Sequence, residues 1–324
     1  MYPVAMAPLH RAPNQPDDAE VSRAVAVVAL GAATISFAPV LVKLCGRAGV
    51  GPSGIGAWRT LIGSAILFLL ARLRGAPLIP SRGMATTATL AGVAFAADLF
   101  VWHRSIAIVG AGMATILGNT QVFWTSTYGR LAYGEPLAPR FVVATASAFA
   151  GVVLLAGVGS DVVFTSTYLA GIGFGLGTGL AYACYILTVQ RATGSGPRYD
   201  AGRTTRERAL DPLTRSLLVL AWVALVTGSL LLASAAVTGE PVLPPSWRAL
   251  GLLAALAGLA HVLGWIIITT GLRRAPASRA GLALLLQPVL ATIWGYLWFG
   301  ETLAAPQIAG AALTIGAIYL GNRK

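Results

Sequence analysis

Charged side chains are scarce in this sequence. Asp, Glu, Lys and Arg make up 10% of its 324 residues and hydrophobic types 56%, whereas a soluble domain carries roughly one quarter charged residues. That shortage excludes an ordinary water-exposed surface. Cysteine is nearly missing as well. Cys45 and Cys184 fall in or beside apolar stretches with no CxxC or Cys/His spacing around them, which excludes a disulfide framework and a structural zinc site. The signatures of common enzyme classes are absent too: there is no Gly-rich phosphate loop, no HExxH pair and no G-x-S-x-G elbow. Gly171, Gly173, Gly175, Gly177 and Gly179 imitate G-x-G spacing, but they sit inside an apolar block with no soluble strand before it. These residues point away from an enzyme and call for no cofactor or metal.

What is present is apolar sequence in blocks about 20 residues long, the length a helix needs to cross about 30 Å of hydrocarbon. Ten blocks are legible, at 22–44, 53–71, 84–107, 110–129, 139–157, 168–189, 215–237, 247–270, 279–298 and 303–321. Barrel strands would show alternation over about ten residues, and none appears. Helices satisfy each backbone N–H and C=O within their own segment, which lipid demands. The expected fold class is an all-α membrane protein of about ten transmembrane helices.

The formal charge of +12 raises the question of a nucleic-acid partner, and its distribution answers it. With the N-terminus placed in the cytoplasm, 18 Lys/Arg fall on inner segments and 5 on outer ones, the latter being Lys43, Arg47, Arg59, Arg104 and Arg248. That is the cytoplasmic excess which orients helices during insertion. The expectation is a multi-pass inner-membrane protein with both termini cytoplasmic, membrane lipid around it and no nucleic acid bound. The first apolar block is too long for a signal peptide and lacks an A-x-A-like site, so residues 1–21 read as a disordered cytoplasmic tail.

An internal repeat organises the rest. A shift of 166 positions superposes Gln121 on Gln287, Gly134 on Gly300, Glu135 on Glu301 and Leu90-Ala91-Gly92 on Leu256-Ala257-Gly258. Gly63-Ser64 meets Gly228-Ser229 at 165, and Thr34 meets Thr178 at 144, the difference being a basic Gly/Pro-rich loop within 191–214. That loop reads as a topology-setting linker, with anionic lipid binding as the alternative. The halves are 22–157 and 168–321. Five helices per half is an odd number, so the second half enters the membrane from the opposite side. Two inverted repeats are the common construction of secondary transporters.

The signature Gly-Glu-x-Leu occurs twice, as Gly134-Glu135-Pro136-Leu137 and Gly300-Glu301-Thr302-Leu303, each between the fourth and fifth helix of its half. With Gln287-Pro288-Val289 ahead of the second copy, Gln307-Ile308-Ala309-Gly310 behind it, and Trp58-Arg59-Thr60-Leu61 on the second helix, the chain resembles the EamA-type transporters of the drug/metabolite transporter superfamily. Val122 departs from the family by standing where it usually has a proline. The resemblance implies a ten-helix inverted-repeat transporter, commonly an exporter, with a central cavity lined by the third, fourth, eighth and ninth helices among others. The expected activity is transport of a small metabolite or amphipathic drug-like molecule, proton-coupled, with passive exchange as the alternative and a membrane enzyme or channel behind both.

Asp98 is the only acidic residue inside an apolar block. Intramembrane carboxylates usually face a cavity or partner and serve as proton relays. The bland alternative is a hydrogen bond to Asn119, Thr120 or Gln121 on the next helix. Trp102 follows Asp98 by one turn, and His261 and Trp265 repeat that spacing on the eighth helix. With Asn119, Gln121 and Gln287 they make up the candidate substrate- or proton-binding set. An aromatic wall with one carboxylate suits a cationic or zwitterionic amphipathic solute. Lys43, Arg59, His103 and Arg104 read as snorkelling to the interface. Gly134, Glu135, Gly300 and Glu301 read as structural, each carboxylate near the positive end of a helix.

Overall fold

The computed structural model describes residues 18–322 except 78, 122, 125–126, 129–138, 156, 159–160, 162, 194–209, 273–282 and 285. Every element that these residues form is helical. The first apolar block divides into α1 (Asp18–Ile35) and α2 (Ala38–Arg47). Pro39 explains the division, because it has no N–H to give the Ile35 carbonyl four residues back. The helix begins at Asp18, within the stretch 1–21 expected to be an unstructured tail. Asp18 and Glu20 fit there, since free N–H groups at a helix start favour negative charge.

Then follow α3 (Pro52–Leu73), α4 (Arg82–Val109), α5 (Ala111–Gly118), α6 (Pro139–Leu155), α7 (Ser166–Thr193) and α8 (Pro212–Thr238). The eighth block is continuous but not uniform. It runs through α9 (Trp247–Ala255), a π-helical segment (Leu256–Leu263) and α10 (Gly264–Leu272), and is succeeded by α11 (Leu286–Phe299) and α12 (Ala305–Asn322). The fourth block turns at Asn119–Thr120 after α5, just before Val122, which lies outside the described residues. Asp211 starts α8 by accepting from Leu213 N (3.0 Å) and Thr214 N (3.2 Å). Ser246 starts α9 by accepting from Ala249 N. Gly239, at φ +68°, ends α8 in the left-handed conformation that glycine adopts without steric cost.

Among the described residues, Ser22–Arg47, Pro52–Leu73, Arg82–Val109, Ser166–Thr193, Pro212–Thr238 and Trp247–Ile268 are long and apolar enough to cross a membrane, and Val143–Leu155 is a shorter apolar helix. α4 and α7 have 28 residues each, about 42 Å at 1.5 Å per residue, more than the hydrocarbon thickness.

The helices pack in a pattern that the sequence repeat makes intelligible. Extensive contacts join α4 to α7, α3 to α8, α6 to α12, α1 to α10 and α5 to α11. Exchanging first-half blocks for their second-half equivalents turns the α4–α7 pair into the α10–α1 pair and maps the other three onto themselves. Small residues permit the approach. A Cβ on Gly171, Gly175 or Gly179 would strike α4 or α5, and Ser105 Oγ donates to Gly171 O at 2.9 Å. Gly173, on the other face, has open space around it. Across α3–α8, Ser64 Oγ donates to Ala221 O at 2.8 Å, while Gly228 seats Leu61 and Thr60. With little hydrophobic gain between helices in lipid, such packing and interhelical bonds carry the association.

Candidate functional site

The breaks in the helices converge on one cavity of about 90 Å³ in the middle of the bundle. Ile35 and Ala38 flank it from the α1–α2 break, and Arg59 enters from α3. α4 supplies Phe95, Asp98, Leu99 and Trp102; α5 and the turn after it supply Thr115, Gly118 and Asn119; α7 supplies Thr178 and Tyr182. Trp265 from α10 and Gln287 from α11 complete the wall. Lining from both halves, between discontinuous helices, is the usual setting of a midplane transporter site.

Five of the residues singled out from sequence therefore share this cavity: Asp98, Trp102, Asn119, Trp265 and Gln287. Two do not line it. His261 is buried one layer back, its ring stacked on Phe95 at 5.8 Å and pressed against Gly63. It falls in the π-helical segment, whose wider turn changes the angular offset between His261 and Trp265 from that of an α-helix. Gln121 also stays outside the lining, with its Oε1 buried and without a hydrogen bond among the described residues. Gly134 and Glu135 lie outside the described residues, as does most of the basic loop.

Asp98 is 6% exposed and forms no hydrogen bond among the described residues. The neighbours expected to bond it are occupied locally: Asn119 Nδ2 donates to Thr115 O (2.8 Å) and Thr120 Oγ1 to Leu117 O (2.6 Å). Its electrostatic counterpart is Arg59. Yet the ion pairs among the described residues are Lys43–Glu301, Arg74–Asp211 and Arg104–Glu240, so Arg59 and Asp98 do not touch.

Arg59 departs from the snorkelling expectation. It is 4% exposed, with its guanidinium 5.8 Å from the Trp102 ring centroid and Nη1 3.5 Å from His103 Nε2. His103 Nδ1 lies 3.0 Å from Pro52 O, an acceptor only, so Nδ1 carries the proton and Nε2 accepts from Arg59. Arg59 Nε is buried with no acceptor among the described residues. Sequence reasoning missed this residue because it weighed Arg59 singly. Its place seven residues beyond Pro52, about 10 Å into a helix, was the available signal. Phe95, Thr115, Thr178 and Tyr182 had no such signal beyond helical spacing.

One end of the bundle is tied together by charge. Glu301 pairs with Lys43 of α2 and accepts from Ala111 N (3.0 Å) at the start of α5, rather than from α12, which it precedes. Gly110, at φ +88°, and Gly295 leave room for that carboxylate. Glu240 pairs with Arg104 and accepts from Ser53 N at 2.7 Å. Lys43 and Arg104 are thus held inside the fold by carboxylates.

Comparison with known proteins gives this architecture a context. The EamA-like transporter family matches residues 22–157 and 208–323. A WAT1-related chloroplastic protein of Arabidopsis thaliana is 29% identical over 124 residues, covering 37% of this chain but only 30% of its own length. A protein of Salmonella typhimurium described as a probable amino-acid metabolite efflux pump is 26% identical over 212 residues, covering 65% of this chain and 67% of its own. A solved structure at 17% identity superposes with a TM-score of 0.60 over 92% of this chain and 97% of that one, a likeness of fold alone. With both halves matched, the chain belongs to the EamA-like transporter family.

Proposed function

We propose that the chain is a secondary transporter of ten spans in two inverted five-helix halves, with both termini cytoplasmic, which exports a small amphipathic metabolite across the inner membrane in exchange for protons. The pairwise exchange symmetry of the helices supports the inverted repeat, and the 18-to-5 division of Lys and Arg supports the orientation. In that orientation the Lys43–Glu301 and Arg104–Glu240 ties lie on the outer side, so the conformation described is one closed outward. The Salmonella relative's description as an efflux pump for amino-acid metabolites supports export of a small metabolite.

The observation that carries the reading is Asp98: a carboxylate buried in the central cavity, without a hydrogen bond among the described residues, between helices of both halves. An intramembrane carboxylate so placed is the ordinary relay of proton-coupled transporters. A second reading rests on Arg59, whose positive charge in the same cavity can serve as a permanent counter-ion and leave the protein a passive exchanger.

Asp98→Asn keeps shape and hydrogen-bonding capacity but removes titration. In reconstituted vesicles with an imposed pH gradient, wild-type protein should accumulate solute above equilibrium and Asp98→Asn should not. Equal gradient-driven accumulation by the two would leave the passive exchanger.

A further inference from the structure

We infer that Arg59 and Asp98 form a two-point site for a zwitterion, Arg59 receiving a carboxylate and Asp98 an ammonium group of one small solute. The inference rests on the transporter reading and specifies its substrate class. Both side chains are more than nine-tenths buried and both line the same cavity. Each is the other's electrostatic counterpart at a distance, but no ion pair among the described residues joins them. Among the described residues the Asp98 side chain makes no hydrogen bond, and Arg59 Nε has no acceptor.

Buried charges are normally paired and hydrogen-bonded, because an uncompensated one is costly. Two opposite charges facing one open space without contact therefore leave a vacancy of defined polarity. A solute with a single positive charge would compensate Asp98 and repel Arg59; a single negative charge would do the reverse. A molecule with both groups compensates both walls at once and enters with no net charge. Arg59 is suited to the carboxylate end because its fork of donors matches two carboxylate oxygens. His103 steadies that fork by accepting from Nη1, and its own proton is committed to Pro52 O. Trp102 and Trp265 offer apolar surface for the rest of the solute.

The distribution of these groups over the two halves agrees. By the repeat shifts, Asp98 corresponds to Gly264 and Arg59 to Ala224. Neither charge has a charged twin, so the cavity holds one such site and not a symmetric pair.

The test uses purified full-length protein in lipid nanodiscs and four probes of one skeleton: leucine, leucinamide, N-acetylleucine and isopentylamine. Ligand-dependent thermal stabilisation, titrated at fixed pH, gives an apparent Kd for each. Leucine should bind at least tenfold tighter than any singly charged probe. Arg59→Gln should lower leucine affinity to that of leucinamide and leave leucinamide unchanged or improved. Asp98→Asn should lower leucine to the level of N-acetylleucine. Arg59→Lys and Asp98→Glu, which keep the charges, should retain the preference for leucine, and the wild-type panel alone decides if a variant does not fold. Equal affinity for leucine and isopentylamine, equal loss of all probes in both neutral variants, or no binding by any probe would overturn the inference. The transporter reading fails separately, when vesicles show no saturable flux of any solute. Saturable flux without preference for the doubly charged probe defeats only the zwitterion site.

Discussion

The Glu301 tie lends itself to a quantitative test. Glu301 holds Lys43 of α2 and the first N–H of α5 together, and both side chains of the ion pair are about one-fifth exposed, at 23% and 21%. Exposed pairs are worth about 0–1 kcal/mol, and breaking a fully buried one costs about 3–5 kcal/mol. An intermediate burial places the tie at about 1–3 kcal/mol, a factor of about 5–150 in a two-state equilibrium. Glu301→Gln retains an acceptor for Ala111 N but loses the negative charge that pairs with Lys43. If the tie holds the outward side closed, the variant shifts the population toward opening by that factor. Thr115 reports it, since it lines the cavity one turn below Ala111. In a Cys45→Ala, Cys184→Ser background, Thr115→Cys should react with an external membrane-impermeant thiol reagent, and Glu301→Gln should raise the rate at least fivefold. A rate within twofold of the parent, with the protein folded, would refute a gating role and leave Glu301 as a static helix cap.

Two further outcomes test the scaffold. Gly310 of α12 faces α6 so closely that an added Cβ would meet Gly151 O at 2.6 Å and Leu154 Cβ at 2.8 Å. Backbone cannot swing aside, so Gly310→Ala should destabilise by about 1–3 kcal/mol in a detergent thermal-melt comparison; an unchanged melt would show that the α6–α12 contact is loose. Asp211, outside the spans, is held down to about 2 from its usual 3.8, chiefly by the Thr214 hydroxyl and then by the Thr214 N–H. A depressed carboxyl stabilises above 3.8 and loses that contribution as pH falls toward 2. Asp211→Ala should therefore lose its helix cap, about 0.5–2 kcal/mol, at pH 7, with the gap from wild type closing in melts taken below pH 3.8.

Much of the architecture was legible because the bilayer imposes it. Block length and polarity follow from lipid as solvent, and the repeat could be read by shifting the sequence against itself. What periodicity could not give is where each helix breaks and which side of it faces inward. Among the described residues Pro39 marks a break with a local cause in the sequence, and it was passed over because the surrounding block is continuously apolar. The π-helical segment has no such marker, and through it His261 moved behind Phe95 while Trp265 reached the cavity. Asp98 was found because a carboxylate in an apolar block is conspicuous. Arg59 was not, because a long basic side chain near a helix end has an easier alternative in the interface.

The repeat also explains why the site sits where it does. Under the 166 shift, Phe95 and His261 are equivalent, and these two rings stack on each other. Residues equivalent under a twofold relation meet only near its axis, so this contact marks the pseudo-symmetry axis beside the cavity. Leu99 and Trp265, equivalent in the same way, both line the cavity. Shape is thus shared between the halves, as an exchange of conformations requires. Charge is not. Asp98 and Arg59 both come from the first half, opposite Gly264 and Ala224, and Gly264 is packed directly against Ile35 with no room for a side chain. A symmetric frame can present its cavity to either side in turn, while the asymmetric charges keep the same solute chemistry in both. That division of labour, with packing shared across the repeat and charge confined to one half of it, suits the proposed carrier with a single binding site.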